Sequence, residues 1–166
     1  MKVIHTNSFE ETQMVGQNFA REILAAKPQK TAVVLALRGD LGAGKTTFLQ
    51  GFAKGLGIKE VVNSPTFIVM KKFQIPKNKK VEQITNVGNL FYQYFYHFDL
   101  YRLENEKDVE FLHFDEIISN PENIVAIEWP EKIVTSLRAK RSNLISITFN
   151  HLQEVKREIT IDASFF

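Results

Sequence analysis

Residues 31–56 read TAVVLALRGDLGAGKTTFLQGFAKGL, and their pattern predicts the fold. It opens with a short, β-branched, uninterrupted apolar run at 31–37, which is typical of a strand buried on both faces. After the glycines, large apolar residues recur at helical spacing and mark one buried helix face: Phe48, Leu49, Phe52 and Leu56. A strand, a glycine loop and a helix in this order predict an α/β fold with a central mixed, mostly parallel sheet.

The loop between these two elements carries chemistry. Gly39-Asp40-Leu41-Gly42-Ala43-Gly44-Lys45-Thr46 fits the pattern G-x-x-x-x-G-K-[ST] at every required position. Glycines allow successive backbone N–H groups to converge on an anion, and the helix N-terminus adds further donors and partial positive charge. We expect the Lys45 ammonium to lie between the β- and γ-phosphates and the Thr46 hydroxyl to face Mg²⁺. The pattern predicts nucleoside triphosphate binding in a P-loop NTPase-like three-layer fold.

The nucleotide base is indicated by a missing element. Guanine-binding proteins usually carry [NT]-K-x-D, and the nearest segment is Asn78-Lys79-Lys80-Val81, with Val where Asp is required. ATP or ADP is therefore favoured over a guanine nucleotide.

Two acids end strand-like runs. Asp99 closes residues 95–99 and Glu128 closes residues 124–128. Because ligands of open α/β sheets bind at the carboxyl ends of the strands, both acids are candidates for the site. Phosphoryl transfer needs a carboxylate near the metal and a group that orients the nucleophile. His97, on the same strand face as Asp99, either orients a catalytic group or is a hydrogen-bonded structural histidine.

The rest of the chain is organised around these elements. A capping box at 8–11 opens an amphipathic helix predicted over 9–26. Further strands are predicted at 66–73, 90–98, 124–128, 144–149 and 158–161, with short helices at 111–119 and 131–137. Residues 71–89 are rich in Lys, and we interpret them as an exposed loop or hairpin insertion. They are either a solvated charged surface or a contact for RNA or a partner protein.

Composition narrows the class of protein. The chain has 166 residues and 19.1 kDa, which suits one domain over 1–166. It has no Cys, which excludes a thiol nucleophile and a Cys-ligated metal. Its net charge of +2 gives no bulk indication of nucleic-acid binding, so no DNA partner is expected. No apolar run approaches the roughly 20 residues of a membrane helix. We expect a soluble, cytoplasmic protein.

Several motifs together resemble one family, TsaE, the small ATPase of bacterial tRNA threonylcarbamoyladenosine synthesis. The P-loop is similar to the family's, as are Ser64-Pro65-Thr66-Phe67, His97-Phe98-Asp99-Leu100-Tyr101-Arg102 and Glu128-Trp129-Pro130-Glu131. Two weaker matches are the start of the first helix at 11–16 and the late pair Arg157-Glu158. These matches run in order over nearly the whole chain.

The resemblance implies a set of site residues. Residues 39–47 (Gly39, Asp40, Leu41, Gly42, Ala43, Gly44, Lys45, Thr46 and Thr47) would bind the phosphates of ATP or ADP, and Thr46 and Glu128 would hold Mg²⁺. Asp99 would be catalytic, beside Lys45 and Glu128, and Thr12 and Arg157 would flank the adenine or ribose. Trp129 would pack either beside the nucleotide or in the core. The resemblance also implies partners: ATP hydrolysis would support TsaB and TsaD, which transfer threonylcarbamoyl to the adenosine next to the anticodon, so contact with tRNA would be indirect.

Two other functions remain open from the residues alone. A small-molecule kinase also begins with strand, P-loop and helix, but such kinases usually carry an arginine-bearing lid, and no Arg lies between Arg38 and Arg102. A nucleotide-gated binding module without catalysis would use ATP only to order residues 64–73. No obvious arginine finger accompanies the loop, with Arg38 and Arg102 as the nearest candidates, so we expect slow hydrolysis by the isolated protein.

Overall fold

The computed structural model of the protein describes residues 1–65, 68–77, 91–104, 109, 112–133, 137 and 144–163. Its regular elements, in chain order, are β1 (Lys2–Thr6), α1 (Phe9–Ala25), β2 (Val33–Arg38), α2 (Lys45–Gly55), β3 (Met70–Gln74), β4 (Tyr94–Asp99), α3 (Phe114–Ser119), β5 (Asn123–Glu128), a 3₁₀ turn (Pro130–Ile133), β6 (Leu144–Gln153) and β7 (Lys156–Asp162). None of the helices in these ranges has the length and apolar character needed to cross a membrane.

The strands form one seven-stranded sheet in the order β1-β7-β6-β2-β5-β4-β3. The four strands in the middle, β6, β2, β5 and β4, pair in parallel, and the remaining pairings are antiparallel. The prediction of a mixed, mostly parallel sheet is therefore confirmed. Strand β2 lies in the middle of the sheet and is buried along residues 33–37, which explains its unbroken apolar sequence.

Alternate residues of the central strands serve two cores, one on each face of the sheet. Leu35 packs in the cluster that contains Phe48 and Phe52 of α2 together with α1. Its neighbour Val34 packs in a second cluster with Ile117 of α3. Because side chains alternate across a strand, one apolar run supplies both layers. The result is the predicted three-layer arrangement, with α1 and α2 on one face and α3 on the other.

Helix α1 begins as its sequence predicts. The hydroxyl of Ser8, the N-cap residue, accepts a hydrogen bond from the Glu11 amide at 3.1 Å. The Glu11 carboxylate accepts from the amide of Asn7 at 2.6 Å, one residue before the position of a regular capping box. Both bonds occupy backbone donors at the start of the helix.

This cap gives a first testable expectation. Ser8→Ala should lower the free energy of unfolding by about 1 kcal/mol, because the Glu11 amide loses its acceptor. The unfolding midpoint in urea measures the effect, and Ser8→Asp, which restores an acceptor, is the control. Equal midpoints for wild type and Ser8→Ala would contradict this role of the cap.

Some predicted boundaries were wrong. The strand predicted over 66–73 begins only at Met70, because the backbone at Val69 has a positive φ of 62° and cannot continue a strand. Thr66 and Phe67 lie outside the described residues. The strand predicted over 90–98 begins at Tyr94. Of the helix predicted over 131–137, the first residues form the 3₁₀ turn Pro130–Ile133, and residues 134–136 lie outside the described residues.

One further difference concerns a sheet edge: strand β1 was not predicted, and it pairs with β7. Lys71 and Lys72, which open the segment predicted as an exposed loop or hairpin, are exposed residues of β3, and β3 pairs antiparallel with β4. Residues 78–89 of that insertion lie outside the described residues.

Candidate functional site

The P-loop joins β2 to α2, and its backbone needs glycine. Gly39 has a φ of +140°, and a Cβ there would lie 2.6 Å from the Phe149 carbonyl oxygen. Gly44 has a φ of +103° and forms the N-cap of α2. It has no side chain to accept from the first turn, so these helix amides are available to an anion.

Lys45 is held inside this loop. Its side chain is 96% buried, and Nζ donates hydrogen bonds to the carbonyl oxygens of Gly39 at 2.6 Å and Asp40 at 2.9 Å. Burial lowers the pKa of Lys45 from its ordinary value, while nearby carboxylates, Glu128 first and then Asp99, act against that shift. A cation is thus placed at the loop with its charge partly balanced by acids.

The indole of Trp129 lies beside this cation. Nζ of Lys45 is 4.3 Å from the centre of the Trp129 ring, within the range of a cation–π interaction. Trp129 directly follows β5 and has a φ of +61°, so the chain turns sharply where that strand ends. Trp129 lies beside the P-loop and also packs, partly buried, against the core cluster that contains Ile117, so the two positions expected for it are both met in part.

The two predicted acids meet at the carboxyl ends of neighbouring strands. Asp99 of β4 is the register partner of Glu128 of β5, and both are at least 96% buried. The hydroxyl of Thr46 donates to Glu128 Oε1 at 2.9 Å, so the two predicted metal ligands are already in contact. His97 Nε2 lies 3.0 Å from the same oxygen. His97 is therefore a hydrogen-bonded histidine whose partner is a candidate catalytic group.

Asp99 is tied to the segment that precedes β3. The hydroxyl of Ser64 donates to Asp99 Oδ2, and the amide of Tyr101 donates to Oδ1 at 3.1 Å. Ser64 begins the Ser-Pro-Thr-Phe motif that the sequence singled out. The carboxylate thus connects that motif with the end of β4.

Arg157 anchors the P-loop to the turn between β6 and β7. It is 5% exposed, and its guanidinium donates to four carbonyl oxygens, those of Gln153, Glu154, Lys156 and Gly42, at 2.9–3.2 Å. These bonds join the β6–β7 turn to the loop. Arg157 also borders the cleft, which is compatible with the predicted position beside the nucleotide.

Thr12 lies away from the cleft. It is 2% exposed and its hydroxyl donates to the Ser8 carbonyl at 3.1 Å while it accepts from the Thr6 hydroxyl at 2.8 Å. Its side chain therefore holds the start of α1. Phe9, at that start, is the residue of this region that borders the cleft.

These residues enclose a cleft of about 640 Å³, within the ordinary size range of small-ligand sites. Its walls are formed by residues 41–47 together with Phe9, Ser64, Asp99, Tyr101, Arg102, Glu128, Trp129 and Arg157. Of the two arginines considered as fingers, Arg102 borders the cleft, whereas Arg38 donates to Ser146 and is not among its lining residues. Sequence reasoning missed Phe9, because an exposed aromatic at the start of a helix carries no motif.

The oxygen donors fit Mg²⁺ bound together with phosphate. Within the described ranges no three His, Cys, Asp or Glu side chains are grouped so that they could hold a metal ion by themselves. Mg²⁺ at nucleotide sites needs only one or two protein oxygens, because phosphate oxygens and waters complete its shell. The Thr46 hydroxyl and the Glu128 carboxylate, in contact at the cleft wall, are donors of that kind.

Comparison with known proteins points to a single family. A family model described as "Threonylcarbamoyl adenosine biosynthesis protein TsaE" matches residues 6–159. A tRNA threonylcarbamoyladenosine biosynthesis protein TsaE from Bacillus subtilis is 38% identical over 154 residues, which cover 93% of this chain and 80% of that protein. The protein of the same name from Aquifex aeolicus is 31% identical, with 97% and 96% of the two chains covered.

A solved structure agrees with the sequence comparisons. The crystal structure of YdiB from Bacillus subtilis superposes with a TM-score of 0.64 at 28% identity, over 98% of this chain and 84% of that one. The family match spans the P-loop, both strand-end acids and Arg157. The chain therefore belongs to the TsaE family of threonylcarbamoyl adenosine biosynthesis proteins, a P-loop nucleotide-binding family.

Proposed function

We propose that this protein binds ATP with Mg²⁺ in the cleft, hydrolyses it slowly alone, and couples that turnover to TsaB and TsaD in the threonylcarbamoyl modification of the adenosine next to the tRNA anticodon. One observation carries the proposal: the uncapped start of α2, the buried Lys45 ammonium and the Thr46–Glu128 pair meet in one cleft. Together they offer donors and a cation for a polyphosphate and oxygens for its metal.

Each residue has a distinct part in this proposal. Residues 39–47 bind the phosphates through backbone amides. The Lys45 ammonium leaves its two carbonyl partners and balances the negative charge of the phosphates. Thr46 and Glu128 hold Mg²⁺, which neutralises phosphate charge when bound.

Asp99 orients the attacking water, with Ser64 and the Tyr101 amide fixing its carboxylate. Arg157 stabilises the loop and flanks the nucleotide, whereas Thr12 acts through the start of α1.

We expect slow turnover by the protein alone from the two arginines that border the cleft. Arg102 is exposed at the cleft wall, and a partner would be needed to hold it on the transferring phosphate. Arg157 has its guanidinium engaged with four carbonyl oxygens. An arginine placed on the transferring phosphate is worth about 10³–10⁵ in rate, so a partner that orders the site would accelerate hydrolysis strongly. We propose that the chain acts as one cytoplasmic domain and reaches tRNA only through these partners.

A reconstituted system tests the coupling. ATP consumption is measured for the protein alone, with TsaB and TsaD, and with TsaB, TsaD, tRNA and an activated threonylcarbamoyl donor. In the last mixture it is divided by the number of modified tRNA molecules. A raised rate with a fixed ratio supports coupling, whereas modification without ATP consumption supports a nucleotide-gated binding module. Labelled γ-phosphate found on a metabolite rather than as free phosphate would support a kinase.

Partner binding is measured separately. A pull-down with TsaB and TsaD is run without nucleotide, with ATP and with ADP. We expect recovery of the complex to depend on which nucleotide is present. Failure to recover either partner under all three conditions would contradict the proposed association.

Glu128 gives a direct test of the metal site. Glu128→Ala and the isosteric Glu128→Gln should both reduce Mg²⁺-dependent hydrolysis by about 100-fold or more, while the unfolding midpoint changes much less for Gln. The physical reason is that a neutral side chain holds the metal weakly. Wild-type turnover in both variants would remove Glu128 from the site.

A further inference from the structure

His97 occupies an unusual position for an ionisable side chain. It lies on β4 with no exposed surface, and its Nε2 is 3.0 Å from Glu128 Oε1. Its other ring nitrogen, Nδ1, is buried and has no hydrogen-bond partner in the described part of the chain. A buried, unpaired ring nitrogen costs free energy, which an apolar side chain at this position would avoid. The contact with Glu128 is the interaction that can offset this cost.

The direction of that hydrogen bond is set by chemistry. An ionised carboxylate only accepts, so the imidazole must carry its proton on Nε2 and donate it to Glu128. Thr46 donates to the same oxygen, Oε1. Two donors from different elements, β4 and α2, thus converge on one carboxylate oxygen. This arrangement fixes the rotation of the carboxylate and leaves Oε2 as the oxygen without a hydrogen bond from the described residues.

We propose that His97 is a positioning residue that orients the Glu128 carboxylate for Mg²⁺. This inference rests on the proposed function, since it concerns the same metal site. Outer hydrogen bonds to a metal ligand orient it before the metal arrives, and their loss commonly weakens metal binding about 10- to 100-fold. His97 acts through Glu128 and is not among the residues that border the cleft.

Substitutions at His97 separate orientation from packing. His97→Met fills the space without a donor, whereas His97→Gln keeps an N–H group that reaches about as far as Nε2. ADP binding is titrated by calorimetry at a series of Mg²⁺ concentrations and also without Mg²⁺. We expect His97→Met to raise the half-saturating Mg²⁺ concentration about tenfold or more, with Mg²⁺-free ADP affinity within about twofold of wild type. His97→Gln should lie closer to wild type.

The matched control is Phe95→Leu. Phe95 is a buried core residue two positions before His97 on β4, and its ring stacks against that of Phe73. This substitution should lower the unfolding midpoint while leaving the Mg²⁺ dependence unchanged. An unchanged Mg²⁺ dependence in His97→Met overturns the proposal. So does a loss of Mg²⁺-free ADP affinity equal to the loss of Mg²⁺-dependent affinity, because that result would mean a purely structural role.

The tautomer of His97 gives a readout that needs no variant. A long-range ¹H–¹⁵N correlation spectrum of the folded wild-type protein distinguishes a proton on Nε2 from one on Nδ1. The proposal requires the Nε2–H form, and an Nδ1–H form would overturn it because Nε2 could not donate to Glu128. Failure of the proposed function has a different signature: wild-type protein would bind no ADP at any Mg²⁺ concentration, while the tautomer would still be readable.

Discussion

Lys45→Ala is expected to reduce the affinity for ATP and ADP by about 100-fold or more, the largest functional effect of any single substitution in the cleft. Charge-assisted hydrogen bonds contribute about 1.5–3 kcal/mol each, and Lys45 would make more than one with a polyphosphate. The substitution also removes the ammonium that now bonds the carbonyls of Gly39 and Asp40. Calorimetric titration with Mg²⁺ and nucleotide measures the loss.

The matched control is Lys54→Ala. Lys54 lies on the same helix but is exposed, and its ammonium donates to the side chain of Gln13. Removing it takes away one positive charge without touching the cleft, so nucleotide affinity should stay within about twofold of wild type. If both variants bound equally well, or Lys45→Ala bound as tightly as wild type, the assigned role of Lys45 would be wrong.

Gly51→Ala should lower the free energy of unfolding by about 3 kcal/mol, which is the upper end of the range for overpacked sites. A Cβ at Gly51 would lie 1.8 Å from the backbone oxygen of Gln13 on α1. Gly16 and Gly55 are similarly close to the facing backbone, so the two helices touch main chain to main chain. A methyl group at Gly51 can be accommodated only if α2 moves away from α1.

Chemical denaturation in urea measures this loss, and Lys54→Ala again serves as the control because it adds no atom between the helices. That control should change the free energy of unfolding by no more than about 0.5 kcal/mol. Gly51→Ala should also weaken nucleotide binding, since α2 carries Lys45 and Thr46 at its start. A Gly51→Ala protein as stable as wild type would contradict the close helix contact.

The elements around the P-loop were predictable because their signals are local. The apolar run of β2, the cap at Ser8 and the helical spacing in α2 depend on neighbours in the sequence. Strand β1 escaped prediction because its residues are mostly exposed and show no apolar alternation; Val3, for example, is 50% exposed. Its place in the sheet comes from pairing with β7, far away in the chain.

The contacts of the site also separate into those that the sequence predicts and those that only the folded chain creates. The meeting of Asp99 and Glu128 was predictable, because the carboxyl ends of parallel strands lie at one edge of a sheet. The contact of Ser64 with Asp99 and the anchoring of Gly42 by Arg157 were not, since they join segments that only the folded chain brings together. Thr12 is 2% exposed and is not among the residues that border the cleft, a placement that the motif in the first helix does not reveal.

Isothermal titration calorimetry of the wild-type protein with ATP or ADP in the presence of Mg²⁺ tests the central claim, that the P-loop cleft binds a nucleotide polyphosphate. We predict a saturable heat of binding with one nucleotide per chain, lost in Lys45→Ala and kept in Lys54→Ala. The absence of any binding heat at millimolar nucleotide, from a protein shown to be folded, would contradict nucleotide binding in this cleft.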